Sequence, residues 1–145
     1  MKKKIFALLL AAAMLLTLAA CAASPAAAPS DGDKPTYTVG ICQLAQHEAL
    51  DAATKGFIDA LNEALPGQVR IEEKNASGDS ANCSTIVNGF VSEGVDLIMA
   101  NATPALTAAA AATSDIPILG TSITAYGVAL DLDDFDGTVG GNISG

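Results

Sequence analysis

From residue 36 onward, the apolar positions of this chain alternate between two periods. "TYTVGIC" (36–42) is β-branched and aromatic and predicts a strand. "HEALDAATKGFIDALNEAL" (47–65) places Leu50, Ala53, Phe57, Leu61 and Ala64 at helical spacing, and Pro66-Gly67 ends the run. "QVRIEEKN" (68–75) alternates and reads as a half-exposed strand near a sheet edge. After the loop "ASGDS" (76–80), "ANCSTIVNGFVSEG" (81–94) returns to helical spacing through Cys83, Ile86, Val87, Phe90 and Val91, stopping at Gly94. "VDLIMA" (95–100) is a short, nearly continuous apolar run, "TPALTAAAAAT" (103–113) a helix, and "IPILGTS" (116–122) another buried strand. "GVALD" (127–131) is the candidate for a fifth strand.

Strand and helix signals that alternate in this way predict an α/β fold, a doubly wound parallel sheet with helices on both faces. Right-handed crossovers restrict the layout. With the second strand at an edge, the expected order is the Rossmann-like, flavodoxin-type 2-1-3-4-5.

Residues 1–20 have a different character. Lys2, Lys3 and Lys4 precede an uncharged apolar stretch from Ile5 to Ala20, the pattern of a secretory signal. Leu18-Ala19-Ala20-Cys21 resembles the bacterial lipobox, so Cys21 is the expected lipidation site and membrane anchor. An ordinary signal peptide with an incidental cysteine is the alternative. Residues 21–35, "CAASPAAAPSDGDKP", hold no large apolar side chain and predict a flexible tether. One small domain, 36–145, follows. Without the signal, four basic side chains face sixteen acidic ones, a balance of −12. Nucleic acid, whose phosphates call for basic patches, is not an expected partner. Cys42 and Cys83 form an even pair in an exported protein: a disulfide, or two small buried thiols. With no CxxC and no His/Cys cluster, no metal or cofactor is expected.

Open parallel sheets bind ligands beyond the carboxyl ends of their strands. Those exits carry Gln43, Leu44, Gln46 and His47; then Asn75, Ser77, Gly78, Asp79 and Ser80; then Asn101, Ala102 and Thr103; then Thr121, Ser122 and Thr124. Amides, hydroxyls and small residues dominate, and general acids and bases are scarce. No GxSxG, GxGxxG or GxxxxGK[ST] string occurs. Glu72-Glu73 and Asp133-Asp134 read as solvated faces, and His47 as a helix cap or polar ligand contact. Thr103 and Pro104 suit a helix start, Thr as N-cap and Pro in the first turn. The N–H groups of that turn would favour a carboxylate; a well-capped helix with no ligand is the plainer reading.

"VGICQLAQHEALDAATKGFIDAL", "NASGDSANCSTIVNGFVSEGVDLIMANATPAL" and "IPILGTSITAYGVAL" resemble the first lobe of ABC-transporter substrate-binding lipoproteins of the tryptophan/tyrosine-binding type. These have the type 1 periplasmic-binding-protein fold. The resemblance runs from about Tyr37 to the last residue. It implies two Rossmann-like lobes around a cleft, an amino-acid-like and often aromatic ligand, and permease and ATPase partners. It implies an exported protein tethered to the outer face of the cell membrane or in the periplasm. By position it assigns ligand contacts to Gln43, Leu44, His47, Asp79, Asn101, Ala102, Thr103, Thr121 and Ser122. Two lobes need roughly twice this length, so the chain is expected to be the first lobe of a truncated product or fragment. A half-cleft encloses little of a ligand.

The leading expectation is therefore a solute-binding protein without catalytic activity. A sensory lobe that reports ligand occupancy is an alternative on the same fold. An exported hydrolase using His47 as base is another, and it would need a nucleophile beside that histidine.

Overall fold

The structure is a computed structural model that describes residues 36–145; the expected signal (1–20), Cys21 and the tether (21–35) lie outside the described residues. The elements run β1 (Tyr37–Gln43), α1 (Glu48–Ala64), β2 (Val69–Asn75), α2 (Ser80–Glu93), β3 (Leu97–Asn101), α3 (Thr103–Ala112), β4 (Ile118–Thr121), α4 (Tyr126–Ala129) and β5 (Ile143–Ser144). Among the described residues they form one five-stranded sheet in the order β2-β1-β3-β4-β5, with every named strand pair parallel. The α/β doubly wound class and the strand order are those expected from the pattern.

Side chains alternate across a strand, so each strand feeds two cores. Val39, Ile41 and Met99 pack with Phe57, Ile58 and Leu61 of α1, together with Val69 and Ile71 of β2. Cys42, Ile98, Ala100 and Ile118 point the other way, into a larger cluster with Val87 and Phe90 of α2 and Ala105, Leu106 and Ala109 of α3. The alanine run of α3 has a steric reason: Ala105, Ala108 and Ala109 are buried, and small side chains let that helix lie close to the sheet and to α2. Gly40 serves the same end, because a Cβ there would come within 2.7 Å of the Phe90 ring. Gly94 closes α2 at φ 68°, a left-handed C-cap whose N–H reaches the carbonyls of Phe90 and Val91.

The structure corrects the expected fifth strand. "GVALD" is not extended; its region folds as the short helix α4, and the fifth strand is Ile143–Ser144, paired to Ile118 and Leu119. Three hydrogen bonds account for the difference. Tyr126 Oη donates to the Gly120 carbonyl at 2.9 Å, turning the chain back over β4, and Thr107 Oγ1 donates to the Ala129 carbonyl at 3.2 Å. Asn142 Nδ2 donates to the Ile116 carbonyl at 2.8 Å, which brings Ile143 alongside β4.

The two cysteines are free thiols, so the disulfide reading of Cys42 and Cys83 is replaced by the buried-thiol one. Both are fully buried. Burial pushes the Cys42 thiol up from 9.0 to about 12, helped by the neighbouring Cys83. Burial also raises the Cys83 thiol, partly offset by its hydrogen bond with Cys42. The folded state thus favours the neutral thiol. That contribution is complete below the unfolded thiol's pKa, about 9, and is lost as pH rises toward 12. Native protein at pH 8 should accordingly react with iodoacetamide at Cys42 at least about 100-fold more slowly than protein in urea. Equal rates in the two states would contradict this placement.

Candidate functional site

Because all the strands run the same way, their carboxyl ends emerge along one edge. The register sets Gln43 against Asn75 on one side and Asn101 on the other, and Asn101 against Thr121. Residues in register share a face, so these four form a polar row across the sheet, on the face covered by α1. Beneath it lie Val39, Ile41 and Met99. The row is where the apolar alternation of each strand stops and neutral hydrogen-bonding groups begin.

Two members of the row are buried and hydrogen-bonded inside the protein. Gln43 is 2% exposed and Asn101 is 0% exposed. Gln43 Nε2 donates to the Ala45 carbonyl at 2.8 Å and to Asp51 Oδ1 at 2.6 Å. Its Oε1 accepts from Thr54 Oγ1 at 2.6 Å. Asn101 Nδ2 donates to the Leu50 carbonyl and to Thr54 Oγ1, both at 2.9 Å. Asn101 Oδ1 is buried with no donor among the described residues. The sequence reading made Gln43 and Asn101 ligand contacts; in the structure their side chains are hydrogen-bonded to α1. Thr54 and Asp51 were missed. The signal for Thr54 is a polar residue on the apolar stripe of its helix, four positions after Leu50 and three before Phe57.

Other expected contacts serve as caps. His47 is exposed and is the N-cap of α1, its Nδ1 accepting from the Ala49 N–H at 3.2 Å. No hydroxyl or thiol among the described residues bonds its ring, and both cysteines are in the core. Asp79 is the N-cap of α2, Oδ1 accepting from the Ala81 N–H at 2.8 Å. Leu44 turns partly into the α2–α3 core, while its backbone ties three exits together. Its N–H donates to the Asn101 carbonyl at 3.1 Å and its carbonyl accepts from Gly78 at 2.7 Å.

Thr103 is not the N-cap. That position is Ala102, with φ 87° and ψ 157° and no side-chain cap; Thr103 and Pro104 open the helix after it. This backbone region is essentially a glycine one and costs a side-chain-bearing residue about 1–3 kcal/mol. The conformation is held by both its ends. The Ala102 N–H donates to the Thr121 carbonyl at 3.0 Å, and its carbonyl accepts from the N–H groups of Ala105 and Leu106, each at 3.1 Å. Pro104 has no N–H. The Thr103 N–H is then the donor of this first turn left without an acceptor among the described residues. Expected as a fan of free amides, the helix start offers one, at the positive end of α3. Ser122 follows β4 in the left-handed region, φ 57°, and is exposed.

Hollows open on this edge. One of about 620 Å³ is lined by Gln43, Gln46, Asp51, Glu73, Asn75 and Ser77, between α1 and β2. Another of about 380 Å³ lies between the starts of α2 and α3, where Ser80, Ser84, Thr103 and Thr107 meet. Glu72, by contrast, is taken by Arg70 at 2.5 Å.

A sequence profile described as ABC transporter substrate binding protein matches residues 38–145. The chain belongs to that family. It is 36% identical, over 99% of its length, to a tyrosine-binding protein of Clostridioides difficile (strain R20291), covering 44% of that protein. It also resembles the ligand-free, open structure of a substrate-binding protein with adhesive properties from Clostridium difficile. There the identity is 38% and the TM-score 0.68, over 75% of this chain and 38% of the other. A third relative is an ABC domain in complex with L-Trp from Streptococcus pneumonia: 33% identity and TM-score 0.68, over 75% of this chain and 37% of that one. The chain thus spans less than half the length of these relatives. The first two are named as binding proteins, and the two solved structures share the lobe fold.

The strained Ala102 gives a direct check. Ala102→Gly removes the steric conflict and should raise stability by about 1 kcal/mol, after glycine's greater unfolded-state freedom is subtracted. A rise in the urea midpoint is expected; a fall would show that the backbone at 102 is unstrained.

Proposed function

We propose that this chain forms one wall of a cleft that captures an aromatic amino acid, as the solute-binding component of an ABC importer. The observation that carries the reading is the Thr103 N–H at the positive end of α3, without an acceptor among the described residues, at the same sheet edge as the polar row. A helix start with a free N–H favours a carboxylate. Thr121 and Ser122 are at the neighbouring strand exit, tied to the helix start by the Ala102 N–H donating to the Thr121 carbonyl. The stretch Gln43 to His47 would face the ligand's side chain. Its exposed members are Gln46 and His47, and its backbone is anchored through Leu44. The relatives that bind tyrosine and L-Trp support this ligand class.

In this reading the permease and ATPase of an importer are the partners, and a lipid on Cys21 holds the domain at the outer face of the membrane. Capture, with no covalent step, suits a site of neutral amides and hydroxyls.

Calorimetry with L-tryptophan and L-tyrosine tests it. Thr103→Pro keeps a helix-compatible residue at the first position and deletes the N–H, and it should weaken binding at least about tenfold. The amino acid amides, which lack the carboxylate, should lose a similar factor. Unchanged affinity in either arm would sink the carboxylate assignment.

A further inference from the structure

One buried hydroxyl decides how the β1–α1 turn is held. Thr54 is 3% exposed, on the sheet-facing side of α1. Its single proton goes to Gln43 Oε1 at 2.6 Å, and its oxygen accepts from Asn101 Nδ2 at 2.9 Å. The proton direction is not arbitrary. Asn101 Nδ2 can only donate, so Thr54 must accept there and donate to Gln43. The oxygen end of the Gln43 amide therefore faces Thr54. Its Nε2 must then face the Ala45 carbonyl and Asp51 Oδ1, at 2.8 and 2.6 Å, both of which can only accept.

We propose that Thr54 is a positioning residue of the ligand site: its hydroxyl fixes the Gln43 amide, and through Ala45 and Asp51 the amide fixes the Gln43–His47 turn. The proposal rests on the reading above that this turn faces the ligand. Three features separate it from a simple helix-to-sheet staple. Thr54 touches the ends of two adjacent strands, β1 and β3, at once. The amide it orients is the residue at which the turn begins. That amide's other end holds a carbonyl inside the turn and a carboxylate in the first turn of α1. Hydrogen bonds in a low-dielectric interior strengthen one another and stiffen the groups they join.

Thr54→Val keeps the branched shape and removes only the hydroxyl. Gln43 Oε1 then has no donor, and the amide is free to turn over. Thr54→Ser keeps the hydroxyl and removes the methyl. Titration with L-tryptophan and L-tyrosine should show Thr54→Val about tenfold weaker than the parent protein and Thr54→Ser within about twofold of it. In ¹⁵N spectra the Gln43 carboxamide protons should be protected from exchange in the parent and in Thr54→Ser, and lose that protection in Thr54→Val. Parent-like binding by Thr54→Val would overturn the proposal. So would Thr54→Ser binding as weakly as Thr54→Val, since packing would then explain the loss. If the parent binds neither amino acid, the ligand reading fails. The Gln43 exchange still decides the role of Thr54: protection unchanged in Thr54→Val overturns it.

Discussion

Parallel strands cannot be joined by a tight turn. Each must be followed by a crossover, and every carboxyl end therefore emerges on the same edge. In this molecule that constraint brings together residues far apart in sequence: Asn75, Gln43, Asn101 and Thr121 become neighbours in a single row. Everything proposed about ligand capture depends on the row, and so does the division of labour along it. Where α1 covers the sheet, the polar groups are consumed internally. Where the starts of α2 and α3 diverge from it, backbone and hydroxyl groups stay free.

Burying amides carries a cost that hydrogen bonding must offset, because an unpaired buried polar group loses about 1–3 kcal/mol. The Gln43–Thr54–Asn101 chain meets most of that demand, leaving Asn101 Oδ1 as the open acceptor. The strain at Ala102 is a second local cost, and it sits one residue further along the same strand exit. Both lie between the apolar cores and the edge. A sheet that needed only stability would end in ordinary alternation and a glycine turn. Concentration of these costs at one edge supports the proposed binding site there.

The fold was legible because its information is periodic. Leu50, Phe57 and Leu61 mark α1 by spacing alone, and the apolar run "LIMA" (97–100) marks β3 as buried on both faces. "GVALD" misled because a short apolar run has no period of its own; what decides its state is Tyr126 reaching Gly120, a contact set by tertiary placement. The site was legible as an edge but not as roles. Strand-exit logic finds Gln43 and Asn101 without showing which face they take, whereas the register puts them on the α1 face. His47 and Asp79 were found too, yet each precedes a helix, and local capping claims their side chains first. The stretch "NATPAL" suggested a threonine cap. One unusual backbone angle at Ala102 moves the helix start and leaves Thr103 with the free amide.

The central claim is that the carboxyl-end edge of this sheet is the ligand wall. A ¹H–¹⁵N spectrum of the protein, recorded with and without L-tryptophan, tests that most directly. The account predicts shifts confined to Gln43–His47, Asn101–Thr103 and Thr121–Ser122. Shifts gathered instead at the opposite edge, around Gln68 and Asp96, would contradict it.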